Sequence, residues 1–121
     1  MDQKKICPLR LLFCGYSRVI KGDYRHLSMV SHQFWQGDLC ISGTAEIVFQ
    51  KYTLTVHPYD ILIIPPGVPH MFRYISQTER FCLCCRNECG SAIGIGCISC
   101  SDGTWNVHDA NGGTEFRGKA V

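Results

Sequence analysis

Two histidines are the side chains of this chain best suited to chemistry. Phe34 and Gln36 follow His32 at alternate positions, and Phe72 stands two residues after His70. Residues two apart on a β-strand point to the same side, so one strand would group His32 with the first two and another would pair His70 with Phe72. Aromatic surface with a few converging polar groups is typical of a small-molecule pocket. We expect these five residues to form a ligand-binding site.

The same histidines could instead hold a metal ion, with Gln36 as a third ligand. Transition metals favour imidazole combined with thiolate or carboxylate ligands. Gln36 offers only a neutral amide oxygen, which does not offset the charge of a dication. We therefore expect no cofactor, and we keep a divalent metal bound by His32, Gln36 and His70 as the alternative.

Short strands must position these residues. Residues Thr44–Phe49 and Tyr52–Val56 alternate apolar and polar side chains and predict a hairpin. The apolar run Ile61–Ile64 predicts a buried strand that ends at the prolines that follow it. Further strands are predicted over Ile6–Phe13, Leu27–Trp35, Asp38–Ser42, Met71–Ile75, Phe81–Cys85 and Ile93–Ile98. No segment keeps a helical period, so the chain is predicted to be all-β, as a sandwich or barrel.

The chain has 121 residues, of which 45% are hydrophobic and 18% charged, a balance that fits one globular domain. We place a β-barrel domain over residues 1–109. Glycines become frequent in the last third, and we expect residues 110–121 to form a flexible C-terminal tail.

Two segments carry a resemblance to a known family. His32–Gln36, followed by Ile41–Gly43, resembles the first motif of cupin proteins. Pro58–His70 resembles the second motif, and its Pro65, Gly67 and His70 stand at the family's Pro-x-Gly-x-x-His spacing. The sequence Pro-Pro-Gly-Val-Pro-His, continued by Met-Phe, resembles the sensor branch of AraC-type transcription regulators. Leu9–Arg18 is similar to the way in which that branch often begins.

The resemblance implies a small cupin barrel, that is, a double-stranded β-helix or jelly roll. It also implies the effector-binding half of an AraC-type regulator, with a small-molecule effector as partner and pairing into homodimers. Two departures weaken a metal site: Val30 stands where metal-binding cupins have their first histidine, and Gln36 stands where they have glutamate. The alternative is a small metal-dependent cupin enzyme of the dioxygenase or isomerase type, using His32 and His70.

Composition argues against two other classes of partner. The net charge is only +2, without a clustered basic face, and no helical pattern of helix-turn-helix type is visible. We therefore expect no direct nucleic-acid binding by this chain. No apolar run reaches the ~20 residues of a membrane span, so no membrane contact is expected. The nine cysteines, without a secretory signal, are interpreted as reduced thiols of a cytoplasmic protein.

Six of the nine cysteines lie between positions 82 and 100, and they raise a second metal hypothesis. The pairs Cys82-x-x-Cys85 and Cys97-x-x-Cys100 have the spacing of zinc ribbons, in which four thiolates converge on the ion. Phe81–Cys85, however, is predicted to be a strand, and on a strand Cys82 and Cys85 would point to opposite faces. The alternative is that these cysteines, with Cys84 and Cys89 among them, fill small apolar positions.

Three further residues follow from the same alternation. Arg73 should point away from His70 and Phe72, so we expect no anion-binding role for it. Trp35 should lie on the opposite face from His32 and pack against the outer sheet or a partner subunit. The alternative to a ligand site is that Phe34 and Phe72 simply fill the barrel.

Overall fold

A computed structural model describes residues 9–20, 28–87, 95–109 and 111–119. These residues form strands and connections without a helix, so the all-β prediction is confirmed. None of the described segments is a helix long and apolar enough to cross a membrane. The strands are β1 (Leu9–Val19), β2 (Trp35–Ser42), β3 (Ala45–Phe49), β4 (Thr53–Val56), β5 (Ile61–Ile64), β6 (His70–Tyr74), β7 (Thr78–Asn87), β8 (Ile95–Ser101), β9 (Thr104–Asp109) and β10 (Thr114–Lys119).

The strands form two antiparallel sheets. The larger sheet has the order β1-β7-β2-β5-β8-β9-β10, and the smaller has the order β4-β3-β6. The predicted hairpin is the β3–β4 pair, in which Ile47 lies opposite Leu54. Neighbours in the larger sheet are mostly distant in sequence, so its register depends on tertiary packing rather than on local turns.

One end of the space between the sheets is filled by apolar side chains. Ile47 of β3 and Leu62 and Ile64 of β5 are each only 1% exposed. They alternate with half-buried neighbours, as period two requires. The remaining buried members of this core are Cys40, Phe49, Val56 and Cys97. Burying one such aliphatic side chain contributes about 2 kcal/mol, so this end dominates the apolar stabilisation.

Two glycines are required by the backbone. Gly43 has φ of +85°, and a Cβ there would lie 2.1 Å from the carbonyl oxygen of Gln77. Gly67 has φ of +81° and follows Pro66, which is the arrangement of a type II turn. The second turn lies three residues before His70.

Two strand predictions need correction. Leu27–Trp35 was predicted as a strand, but described residues 28–34 are irregular apart from one bridge between Val30 and His70, and β2 begins only at Trp35. Polar residues at positions 28, 31 and 33 give this segment an alternating pattern. Among the described residues, however, no second strand pairs with it in a continuous ladder. The strand predicted over Phe81–Cys85 is longer, because Thr78–Asn87 pairs along both β1 and β2.

The last third contains a hairpin that the sequence reading missed. Asp102 and Gly103 both have positive φ, 52° and 74°, and they join β8 to β9. Asp-Gly is a strong signal for a two-residue hairpin turn, so the sequence was sufficient to predict this hairpin. Thr114–Lys119 pairs with β9, whereas a flexible tail was expected there. The division into a domain over 1–109 and a tail over 110–121 stays a prediction.

Candidate functional site

A cavity of about 540 Å³ opens between the sheets beside the apolar core, against which its wall residue Phe72 packs. Its walls come from β1, the segment before β2, β2 itself, β6 and β7. All five residues predicted to bind a ligand line this cavity: His32, Phe34, Gln36, His70 and Phe72. The structure therefore brings the predicted set together, while its role in binding stays a prediction.

Backbone hydrogen bonds bring the two histidines together. The N–H of Val30 donates to the carbonyl of His70, and the N–H of His70 donates back to Val30, both at 2.9 Å. The N–H of Gly67 donates to the carbonyl of His32 at 2.7 Å. The irregular segment thus docks onto the proline-glycine turn, and the imidazole centroids of His32 and His70 lie 5.4 Å apart at an interplanar angle of 64°.

His70 has a defined tautomer. Its Nδ1 lies 2.9 Å from the carbonyl oxygen of Val68. A carbonyl only accepts, so Nδ1 carries the proton and Nε2 keeps its lone pair. Burial lowers the pKa of His70, and the nearby His32 and Arg80 lower it further, against an opposing effect of the Val68 hydrogen bond and Asp38. His70 is therefore a neutral hydrogen-bond acceptor at neutral pH.

Aromatic rings form the apolar wall of the cavity. The His32 and Phe34 rings are stacked with centroids 4.6 Å apart and planes within 7°. The Phe72 ring stands edge-on to His70 at 6.0 Å, and the Arg80 guanidinium lies 4.4 Å above the Phe72 centroid. Such stacked and cation–π contacts favour flat ligands that can extend the same stacks.

The sequence reading missed a polar network on the β2–β7 wall. Arg80 Nη1 donates to Asp38 Oδ1 at 3.0 Å, and Gln36 Nε2 donates to Asp38 Oδ2 at 2.8 Å. Asp38 is only 5% exposed. Burial raises the pKa of its carboxyl, although Arg80 and the Gln36 hydrogen bond oppose the rise.

One of these residues was within reach of the sequence. Asp38 stands two residues after Gln36, so the alternation that grouped His32, Phe34 and Gln36 extends to it. Arg80 had no such signal, because it reaches Asp38 only through the register of β7 on β2.

Two side chains point away from the cavity, as predicted. Arg73 is exposed and donates to Glu46 at 2.9 Å. Trp35 is half-buried and is absent from the cavity wall. Its Nε1 is buried and finds no hydrogen-bond partner among the described residues. Packing of Trp35 against a partner subunit stays a prediction.

The donor set does not fit a metal well. Described residues contain no group of three or more His, Cys, Asp or Glu side chains placed to hold an ion. The third ligand predicted from the sequence, Gln36, offers only its neutral amide oxygen, because its amide nitrogen donates to Asp38. Asp38 is in turn paired with Arg80, so its charge is already compensated.

The four-cysteine zinc hypothesis disagrees with the sheet order. The pair Cys82 and Cys85 lies on β7, and the pair Cys97 and Cys100 lies on β8. Strands β2 and β5 separate β7 from β8, which places the two strands roughly 14 Å apart at the usual strand spacing. Four thiolates about 2.3 Å from one ion cannot span this distance. Cys89 lies outside the described residues.

Comparison with known proteins identifies the fold. One similar solved structure is a cupin-2 domain containing protein from Shewanella frigidimarina, with TM-score 0.52, 15% identity, and coverage of 69% of this chain and 82% of that chain. Another is a conserved protein of unknown function from Streptococcus pyogenes, with TM-score 0.55, 20% identity, and coverage of 73% and 81%. The prediction of a small cupin β-barrel is confirmed.

Comparisons of sequence add nothing further. No protein-family model matches the chain, and no curated protein matches it. At the identities found among the solved structures, the likeness concerns the fold alone.

Proposed function

We propose that this chain is a small-molecule-sensing cupin domain, similar to the effector-binding half of AraC-type transcription regulators. The observation that carries the proposal is the cavity of about 540 Å³ onto which His32, Gln36 and His70 converge. Cavities that bind small molecules measure roughly 300–1,000 Å³ and combine apolar walls with a few polar groups. The regulatory part of the proposal rests on the resemblance of Pro65–Phe72.

The cavity suits a small ligand with a flat apolar body and a polar edge. The stacked rings of His32 and Phe34 offer an aromatic face on one side, and Phe72 offers another. His70 Nε2 accepts a hydrogen bond, and Ser17 and Gln36 add polar atoms to the wall. An aromatic acid, an amino acid derivative or a sugar meets this description.

Sensing is favoured over catalysis because the polar groups are already paired with one another. Asp38, Arg80 and Gln36 hydrogen-bond one another, so among the described residues the carboxylate on this wall is already paired and is not free to act as a base or metal ligand. The alternative, a metal-dependent cupin enzyme of the dioxygenase or isomerase type, would need His32, Gln36 and His70 to hold the ion without a carboxylate.

Pairing into a homodimer, which the resemblance implies, stays a prediction. The outer face of β1 and β7 offers a surface for it, because Tyr16, Phe81 and Leu83 are 56%, 40% and 41% exposed there. Contiguous apolar surface of this kind is typical of interaction sites.

Calorimetry with three probes tests the sensing proposal: benzoate, N-acetylphenylalanine and glucose, each titrated into the purified chain. We expect at least one to bind, with about ten-fold weaker binding in His32→Phe. This variant keeps an aromatic ring to stack on Phe34 and removes the imidazole nitrogens, and a hydrogen bond from one of them to the ligand would be worth about 1.4 kcal/mol. Lys51→Ala, on the exposed β3–β4 connection, serves as the control and should bind like the parent.

Metal analysis completes the test. If none of the probes binds, or if His32→Phe binds as tightly as Lys51→Ala, the sensing proposal is wrong. Stoichiometric metal in the purified protein that is lost in a His32→Ala/His70→Ala double variant would support the enzyme instead.

A further inference from the structure

Two cysteines in the cavity wall have no part in the proposed function so far. Cys82 and Cys84 lie two residues apart on β7, and both side chains point inward to the cavity. Their Sγ atoms are 3.7 Å apart, and both are free thiols. Across from them on β2 lie Asp38 and Gln36, so the pair sits beside the polar network rather than in the apolar core.

Strand geometry keeps this pair from closing into a disulfide. Side chains two apart on one strand have Cβ atoms roughly 6.5 Å apart, whereas a disulfide requires about 4.5 Å or less. The sulfurs at 3.7 Å are also well beyond the bond length of about 2.05 Å. The pair therefore stays a dithiol unless the strand distorts.

The same distance fits one atom held between two sulfurs. Two sulfurs bound at ~2.3 Å to one centre lie about 3.5 Å apart at a pyramidal bond angle of about 100° and about 3.8 Å apart at the tetrahedral angle, and the 3.7 Å seen here falls between the two. Metals that need three or four protein ligands do not find them, since the described residues contain no such group. A suitable ligand is therefore a central atom that carries its own third substituent, and the cavity has room for that substituent.

We propose that Cys82 and Cys84 form a two-thiol site for a monosubstituted trivalent arsenical, with the organic substituent in the aromatic cavity. Two As–S bonds form and the bond of arsenic to its oxygen breaks. Both thiol protons leave with that oxygen as one molecule of water, and no atom changes oxidation state. The inference rests on the proposed function only in requiring that the cavity admits a small molecule.

The burial of the thiols makes this chemistry selective. Burial raises the pKa of Cys82 to about 12 and also raises that of Cys84. Electrophiles that need a single thiolate therefore react slowly here, whereas an arsenical accepts the thiol protons on its own oxygen. Phe34 and Phe72 supply apolar surface for a phenyl substituent.

Phenylarsine oxide is the probe for this site, added to the fully reduced chain and followed by native mass spectrometry. We expect a mass gain equal to one phenylarsine oxide less one water, reversed by 1,2-ethanedithiol. In Cys82→Ala and in Cys84→Ala the affinity should fall about a hundred-fold, because each loses the second, intramolecular bond. The matched controls are Cys14→Ala on β1 and Cys85→Ala on β7, because both thiols lie on the outward side of their strands. These two variants should bind like the parent.

Outcomes separate this inference from the sensing proposal. An adduct that persists unweakened in the Cys82→Ala/Cys84→Ala double variant overturns the site, as does the absence of an adduct in chains whose thermal melts show them folded. If the adduct is absent but benzoate, N-acetylphenylalanine or glucose binds, the sensing proposal stands alone. An adduct at Cys82 and Cys84 in a chain that binds none of these three supports the dithiol site alone.

Discussion

The two ends of the space between the sheets are built from the same strand geometry but filled differently. At the packed end, Ile47, Leu62 and Ile64 are each 1% exposed and leave no room for a ligand. At the open end, the inward positions carry His32 and Arg80 together with other polar or aromatic residues, and a cavity of about 540 Å³ remains. The difference shows that side-chain identity at inward positions contributes to where this barrel is hollow, together with the irregular segment 28–34 that stands in the cavity wall in place of a strand.

The open end persists because its polar groups satisfy one another. Asp38 is held by Arg80 and Gln36, and His70 is held by the Val68 carbonyl. These hydrogen bonds satisfy polar groups that are buried in the cavity wall, and a buried polar group without a partner costs about 1–3 kcal/mol. The packed end provides most of the apolar stabilisation, and the hydrogen bonds at the open end hold the side chains of the cavity wall in place.

The sharpest contrast between the two ends is expected from truncating one side chain at each. Leu62→Ala should lower the free energy of unfolding by about 3 kcal/mol, because it leaves a cavity in a closely packed core. Phe34→Ala should cost about 1 kcal/mol, because the half-buried ring already borders open space. Urea unfolding of both variants measures the difference, and equal losses would contradict the contrast.

An intermediate effect is expected at the polar wall. Asp38→Asn should destabilise the fold by about 2 kcal/mol, because Arg80 loses its charged partner in a buried setting. A double-mutant cycle with Arg80→Gln should show a coupling of about 1–3 kcal/mol.

The exposed pair Glu46 and Arg73 has the same kind of contact, at 2.9 Å, and provides the matched control. Its cycle should show a coupling of about 0.5 kcal/mol, because solvent screens it. If the two cycles give the same coupling, the polar wall is not specially buried and the comparison of the two ends loses its basis.

The smallest effect concerns pH. Burial, helped by His32 and Arg80, lowers the pKa of His70 below its ordinary value of 6.5. The unfolded chain then binds more protons than the folded chain as pH falls through 6.5 toward the folded-state pKa. The stability due to neutral His70 is therefore present above pH 6.5 and is lost in that window.

Urea unfolding at several pH values from about 5 to about 8, roughly 1.5 units either side of the ordinary histidine pKa, measures this slope. We expect the slope to be shallower in His70→Gln. Phe72→Leu, which changes the same wall without a titrating group, should keep the parent slope. A slope unchanged in His70→Gln would show that other groups govern the pH dependence.

Much of the fold was predictable because its signals are local. The alternation in Thr44–Phe49 and Tyr52–Val56 predicted the hairpin, and the run Ile61–Ile64 predicted β5. The irregular segment before β2 was predicted as a strand because alternation alone does not reveal whether a neighbouring strand exists to pair with it. The hairpin at Asp102 and Gly103 was missed although its turn residues were visible.

The candidate site divides in the same way. His32, Phe34, Gln36, His70 and Phe72 were found because they lie at alternate positions within two short segments. Ser17 reaches the cavity from β1, and Arg80, Cys82 and Cys84 reach it from β7. The register of these two strands is set by pairing between residues about 60 to 80 positions apart in the chain. No local sequence pattern predicts a contact between residues that lie so far apart in the chain.

The sequence alone determined that this protein is all-β, that a hairpin is followed by the buried run Ile61–Ile64, and which residues at alternate positions accompany His32 and His70. Only the tertiary structure decided that a turn at Gly67 docks on the backbone of His32, that Arg80 neutralises Asp38, and that two thiols share the wall. The physical reason is that alternation fixes the side to which a residue points, whereas the residue that it meets there depends on how distant strands pair and how the two sheets close.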